Sequence, residues 1–377
     1  MINNLKYKIC SRCIMDTSDP DIYFDENGVC NHCLKYETEL PKRVFQGDIA
    51  QLKLNSIVEA IKKNGKNKEY DCIIGVSGGV DSTYVAYLCK KLQLRPLAVH
   101  FDNGWNSDLA VSNIKKVLDK LHIDLYTYVI DWEEFRSLQR SFLKASTPDS
   151  EIPTDHAINA LLFREAAKRN IKYIISGMNF ATESMNVPAW SYGHSDWKYI
   201  KAVHNHFENT SLKNYPHFNF FDLFWWTFVK KIKNISILNY INYNKNDVMD
   251  LLQNELGWVY YGGKHYESVY TRFFQGYILP IKFGIDKRRG HLSDLVKAKQ
   301  MKRDEALLEI QKEGYTTQLQ DDDKTFVKKK LGFTDNEFDT IMNLPLRTFG
   351  DYPNSYSSVI RLKKFVNYLR FKGIYSK

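Results

Sequence analysis

The chain has 377 residues, enough for two or three domains around a large core, and its 44% hydrophobic and 26% charged residues are ordinary for a soluble globular protein. No run reaches the ~18–20 apolar residues that a membrane-spanning helix needs, and six cysteines in this length do not make a disulfide scaffold. The net charge of +9 suits an anionic partner (a nucleotide, a sugar nucleotide, RNA or an acidic membrane surface) without choosing among them.

The first six residues, Met1 to Lys6, lack the apolar core of a signal peptide, so a reducing cytoplasmic setting is expected. Residues 1–36 hold Cys10-x-x-Cys13 and Cys30-x-x-Cys33 among turn residues such as Asp19-Pro20 and Asn27-Gly28. Two strands joined by the Asn27-Gly28 turn fit this unit. Four thiolates at this spacing suit a closed tetrahedral Zn²⁺ site of ribbon type, structural rather than catalytic. An iron–sulfur cluster is the alternative for the same ligands. Cys72 and Cys89, farther along, read as small core residues.

Residues 48–64 read as an amphipathic helix with Ile49, Leu52, Ile57, Val58 and Ile61 near helical spacing. From residue 70 to 180 strands and helices alternate. The strands are Cys72–Val76, Leu97–Phe101, Leu125–Ile130 and Tyr173–Ser176, and helices follow the first two and precede the fourth. This order predicts an α/β fold: right-handed βαβ units building a parallel sheet covered by helices, with ligands beyond the carboxyl ends of the strands.

The first of those ends is Ser77-Gly78-Gly79-Val80-Asp81-Ser82-Thr83. Glycines between a strand and a helix aim backbone N–H groups at an anion, and the hydroxyls of Ser77, Ser82 and Thr83 add donors. A carboxylate at Asp81 would repel phosphate unless Mg²⁺ lies between them. There is no Gly-Lys-Ser/Thr ending, so γ-phosphate transfer is not the natural reading. The run resembles the PP-loop of the ATP pyrophosphatases, a superfamily that includes GMP, asparagine and NAD synthetases and tRNA-thiolating enzymes. That resemblance implies that the loop grips a departing pyrophosphate while an oxygen attacks the α-phosphorus. His100, Asp102 and Asn103 at the second strand end look like the nucleotide-side loop of the same superfamily. Gly177 and Asn179 resemble its segment that closes over ATP, and Glu183 is a candidate to share Mg²⁺ with Asp81.

Residues 200–377 look mainly helical. Phe218 to Val229 is dense in Phe, Leu and Trp and is followed by Lys230-Lys231-Ile232-Lys233. It reads as a buried helix or a partner-docking face in preference to a membrane-surface helix. Gly262-Gly263-Lys264-His265-Tyr266-Glu267-Ser268 and Lys282-Phe283-Gly284-Ile285-Asp286-Lys287-Arg288-Arg289-Gly290-His291 supply donors able to pair phosphate or developing negative charge. Lys282, Lys287 and Arg288 join Asp81 as catalytic candidates. Thr334-Asp335-Asn336-Glu337 opens a helix as a capping box, and Arg361–Lys372 reads as a basic terminal helix.

Taken together, the PP-loop, the four-cysteine ribbon and the KHYES…KFGIDKRRGH segments resemble the N-acetyl sugar amidotransferases of lipopolysaccharide O-antigen and pseudaminic or legionaminic acid biosynthesis, over about residues 5–350. The resemblance implies an acetamido-to-acetamidino conversion on a nucleotide-linked sugar, through an O-adenylated imidate that ammonia displaces. It implies ATP and Mg²⁺ as cofactors. It also implies a separate glutaminase similar to that of histidine biosynthesis as the ammonia source, because no Gly-x-Cys-x-Gly nucleophile context is present. The expected layout is a zinc ribbon (1–40), a PP-loop domain (41–200) and a mainly helical lobe (201–377), with 262–303 returning to the active site. The alternative is a tRNA-thiolating or RNA-modifying PP-loop enzyme, which the basic charge would suit. Against it, no second catalytic cysteine pair is evident, so nucleic acid is not the expected partner. A nucleotide-binding regulatory module, keeping the loop without forming AMP, is the non-catalytic alternative.

Overall fold

In the computed structural model, residues 7–358 are described; the basic segment Arg361–Lys372 lies outside them. The strands are β1 (Cys72–Gly75), β2 (Pro96–Asp102), β3 (Leu125–Val129), β4 (Tyr173–Ser176) and β5 (Lys233–Ser236), all parallel in the order β3-β2-β1-β4-β5. The helices in chain order are α1 (Asn31–Arg43), α2 (Gly47–Gly65), α3 (Val80–Lys91), α4 (Asp108–Leu121), α5 (Trp132–Lys144), α6 (Ile152–Lys168), α7 (Trp197–Phe207), α8 (Phe220–Phe224), α9 (Lys245–Leu256), α10 (Val269–Phe273), α11 (Lys287–Lys297), α12 (Arg303–Gln311), α13 (Thr317–Leu331) and α14 (Asp335–Asn343). Wide π-helical turns extend α8 through Val229 and α10 through Phe283.

The alternation of side chains along a strand divides the core. Ile73, Leu97, Val99 and Ile174 face α5 and α6 on one side, packing with Phe135, Leu138, Ala157 and Leu161. Cys72, Ile74, Ala98 and Ile175 face the other side with Leu54, Val58 and Ile61 of α2, Val85 of α3, Ile114 of α4 and Leu252 of α9. Both faces are covered, as a parallel sheet requires. Cys72 and Cys89 are fully buried in this second core, in keeping with a packing role.

Three local readings change. The buried stripe of α2 is Ala50, Leu54, Val58 and Ile61, while Ile49 and Leu52 are exposed, so the helix is rotated relative to the face expected. The strands expected around Asn27-Gly28 reduce to a single bridge between Phe24 and Cys30, because the cysteine sulfurs organise this unit more than a ladder does. A fifth strand lies beyond the four expected: β5 joins the edge of the sheet although its first residues, Lys233 and Asn234, are exposed and polar. The capping box forms as expected, with Thr334 Oγ1 accepting from the Glu337 N–H and Glu337 Oε2 from the Thr334 N–H.

Candidate active site

The glycine loop follows β1 and runs into α3, whose N-terminus carries no side-chain cap and so leaves its first N–H groups open. Ser77 and Ser82 brace the turn with their hydroxyls 3.2 Å apart, and Ser82 Oγ also donates to Gly79 O. Gly78 has φ +79°, and a Cβ there would lie 2.6 Å from the carbonyl oxygen of Ala110. Trp258 holds the same residue from the other side, its Nε1 donating to Gly78 O at 2.9 Å. We expect Gly78→Ala to remove nucleotide binding and to lower stability by about 2 kcal/mol or more, a change that isothermal titration with ATP and thermal melting would register.

Facing the loop, Ser77, Asp81, Ser82, Glu183, Lys245, Tyr261, Lys264 and Glu267 line one cleft. The side chains come from four places. Asp81 lies in the first turn of α3, Glu183 in the loop after β4, Tyr243 and Lys245 after β5, and Tyr261 to Glu267 before α10. Tyr243 donates its hydroxyl to Asp81 Oδ1, and Lys264 Nζ approaches Glu183 Oε1 at 3.4 Å. Burial, reinforced by the nearby Glu183, pushes the Asp81 carboxyl up to about 6, despite Tyr243, Lys245 and Lys264. Burial and then Lys264 pull Lys245 down. His291 of α11 turns Nδ1 toward Lys264 Nζ at 3.3 Å; burial, with Lys264 and Lys245, takes its pKa to about 2, so it is neutral and able to accept. Burial favours protonation of Glu267, but His265, its own backbone and Lys264 outweigh it and hold the carboxyl below its ordinary range, yet its Oε2 is buried with no partner. Asp81, Glu183 and the orphaned Glu267 oxygen thus line one cleft beside an open helix N-terminus, carboxylates of the kind a hard divalent cation next to phosphate uses, though among the described residues only the four cysteines converge closely enough to share one ion as they stand.

The other candidates divide. Gly177 abuts the loop, since a Cβ there would sit 3.1 Å from the Asp81 carbonyl. Asn179 Oδ1 shapes its own turn by accepting from Thr182 N and Oγ1, while its Nδ2 is buried and unpaired. His100, Asp102 and Asn103 do lie at the carboxyl end of β2, but their polar atoms shape the turn. His100 Nδ1 pairs with Val76 O, Asp102 Oδ1 accepts from Gly104 N, and Asn103 Oδ1 from Trp105 N. Lys282 and Arg288 are not brought to the loop. Lys282 Nζ donates to the carbonyls of Ile341, Met342 and Leu344, where a cation suits the end of α14. Arg288 grips Asp286 and Lys312 O. Lys287 belongs to a separate buried group: burial favours protonation of Asp149, but Lys287, His194 and Ser191 outweigh it and hold the acid at about 2.

Tyr243, Lys245, Tyr261, Lys264 and Glu267 are absent from the residues first singled out as the site. Lys264 and Glu267 stand in the KHYES motif, so their signal was present. Tyr243 and Lys245 had none until β5 is known to be a strand, whose carboxyl end then points them at the cleft.

The four cysteines form a second centre. Their sulfurs are buried and lie within 4.8 Å of one another, with Cys10 and Cys33 at 3.9 Å and Cys13 and Cys30 at 3.7 Å. The edge of a zinc–thiolate tetrahedron is about 3.8 Å, so the set can hold such an ion. Backbone N–H groups of Arg12, Cys13 and Cys30 point at Cys10 Sγ, as a thiolate ligand needs. The unit is latched to the C-terminal helices. Arg303 donates to the carbonyls of Cys10 and Cys13, and Arg289 pairs with Asp16 and the Ile14 carbonyl. Asp294 of α11 in turn accepts from Ser184 Oγ and Met185 N, fixing the loop that carries Glu183.

Comparison with known proteins accords with this construction. Residues 50–178 match a family model described as NAD synthase, and residues 267–368 one described as LPS biosynthesis protein WbpG-like, C-terminal domain. The chain is a PP-loop protein with a WbpG-like C-terminal domain. No curated protein matches it. Among solved structures, an NH3-dependent NAD synthetase from Campylobacter jejuni aligns at 16% identity over 76% of this chain and 97% of its own, with a TM-score of 0.32. An NMN synthetase from Francisella tularensis aligns at 16% over 52% and 99%, with a TM-score of 0.28. A predicted tRNA methyltransferase subunit from Methanocaldococcus jannaschii aligns at 13% over 48% and 72%, also at 0.28. Scores this low leave the two domain matches as the basis of the assignment. In this PP-loop protein the WbpG-like part supplies His291 and Asp294, one touching the cleft and the other its supporting loop.

Proposed function

We propose that the chain is an AMP-forming amidotransferase that converts the acetamido group of a nucleotide-linked sugar into an acetamidino group. The observation that carries this reading is the cleft itself, where an open helix N-terminus, Asp81 and Glu183 are ringed by Lys245 and Lys264, in one chain with a domain of lipopolysaccharide-biosynthesis type. The loop N–H groups and the two lysines hold the β- and γ-phosphates of ATP and take up charge as pyrophosphate forms. Asp81 and Glu183, with Glu267, would hold Mg²⁺, which neutralises phosphate charge when bound. The amide oxygen attacks the α-phosphorus, the bond to the β-phosphate bridge breaks and pyrophosphate leaves. Ammonia then adds to the imidate carbon, the carbon–oxygen bond breaks, AMP departs with that oxygen, and loss of a proton leaves the amidine. Adenylation is needed because an amide oxygen is a poor leaving group. The ammonia comes from a separate glutaminase, and the cysteine centre holds structural zinc. Cys72 and Cys89, both at 0% exposure, are inaccessible to a persulfide, which disfavours tRNA thiolation.

The test is AMP release from ATP with UDP-linked N-acetyl sugars. We expect release with ammonium salt and none above background when glutamine replaces it. Release triggered by tRNA and not by any N-acetyl sugar would overturn the assignment; full activity with glutamine would remove the need for a partner.

A further inference from the structure

The aromatic segment, read from the sequence as a buried helix or a partner-docking face, is turned outward. Along α8 and its extension, Phe220, Phe221, Phe224, Trp225, Phe228 and Val229 are exposed, Phe221 to 80% and none below 48%. Their spacing of i, i+4, i+8 and i+1, i+5, i+9 places them in two adjacent rows on one face. The opposite face anchors the segment, Trp226 stacking on Phe163 at 5.4 Å and packing against Phe218. Among the described residues this is a dense strip of large apolar rings in water, the kind of surface that marks a binding site.

Charge identifies what covers it. Between residues 209 and 246 there are five lysines, Lys213, Lys230, Lys231, Lys233 and Lys245, and one acid, Asp222, which is engaged in the capping box of α8. Lys230 and Lys231 adjoin the strip, and Lys172 and Lys68 gather beside them. Lys172 Nζ donates to Lys230 O at 2.7 Å, and its ammonium is destabilised by burial and then by Lys68, Lys230 and Lys231. A protein partner would normally meet four close lysines with matching acids, but Phe and Trp rings bordered by lysine also match the interfacial and headgroup layers of a bilayer. No helix among the described residues is long and apolar enough to cross a membrane, so contact through this strip would be peripheral.

We infer that the 220–233 segment docks the protein on a membrane surface containing anionic lipid. The rings enter the boundary between headgroups and acyl chains, and Lys230, Lys231 and Lys233 lie among the phosphates. These lysines cluster near the amino ends of β4 and β5, whereas the glycine loop is at the carboxyl end of β1. Docking therefore leaves the cleft open to water.

Flotation of the full chain with vesicles tests this. Binding is expected to equimolar phosphatidylcholine and phosphatidylglycerol vesicles, weak binding to phosphatidylcholine alone, and release by high salt. Phe221→Ser/Trp225→Ser/Phe228→Ser and, separately, Lys230→Glu/Lys231→Glu should each reduce partitioning by about tenfold or more, with melting temperature unchanged. The second pair leaves every ring in place, so a folding defect in the first variant would not obscure the result. The inference is overturned if the full chain ignores anionic vesicles, if both variants bind as the wild type does, or if the strip instead mediates self-association that the aromatic variant abolishes without any vesicle binding.

Discussion

Asp81→Asn should abolish AMP formation, by about a thousandfold or more, and at the same time stabilise the folded chain. Both effects have one cause. The carboxyl is held at about 6 instead of its ordinary 3.8 because it is buried and faces Glu183. A raised carboxyl pKa means that folding favours the protonated acid. Below pH 4 the acid is neutral in folded and unfolded chains alike and costs nothing. Between pH 4 and 6 the penalty grows, and above 6 the folded chain carries it in full, of the order of 1–3 kcal/mol. Asparagine removes the charge and still accepts from the Tyr243 hydroxyl, so thermal melting at pH 7.5 should rise while melting at pH 4 stays level. The same titration predicts that ATP-dependent Mg²⁺ binding weakens as the pH falls through 6. Unchanged activity in the variant, or a lower melting temperature at pH 7.5, would separate Asp81 from this role.

Loss of the cysteine centre should have the larger structural effect. We expect about one zinc per chain, released by strong chelators or by Cys30→Ser, and a fall in melting temperature of about 10 °C. The fall should extend to catalysis, because the connection runs through specific bonds. Carbonyls of Cys10, Cys13 and Ile14 receive Arg303 and Arg289, and Ile14 N donates to Ser293 Oγ. When the cysteine unit loosens, α11 and α12 lose these partners, and α11 no longer holds the Ser184–Met185 loop or His291 in place. The measurements are metal content by absorption spectrometry, melting, and AMP release in one preparation. A Cys30→Ser protein with unaltered metal content and melting would refute the centre.

The parts of this molecule legible in the sequence share a physical cause: their signal is local. The run Ile73-Ile74-Gly75 into Gly78-Gly79 specifies strand, turn and helix within a dozen residues, and the cysteine spacing specifies a ligand set whose sulfurs indeed converge. What stayed hidden depends on long-range packing. β5 has three polar residues in four and becomes a strand by pairing with β4, so Tyr243 and Lys245 could not be placed until that pairing was known. Lys282 and Arg288 illustrate the reverse. Their charges suggested phosphate, yet the end of α14 engages Lys282 and the neighbouring Asp286 engages Arg288. Of the two readings of the aromatic strip, the buried helix does not hold: all-round apolarity normally means burial, whereas here only the Leu223 and Trp226 side packs inward.

The cleft around Asp81 is assembled from stretches far apart in the chain, and this has a consequence for how the protein could be recombined. Glu183, Tyr243, Lys245, Tyr261 and Lys264 all fall between the two segments that match family models, 50–178 and 267–368. A chimera that exchanged either matched segment for a relative's would inherit half of the cleft and leave its counter-residues behind. Because Arg303 holds the cysteine centre as well, workable crossover points lie outside the whole interval from 10 to 303, so the unit that can be exchanged is larger than either matched segment.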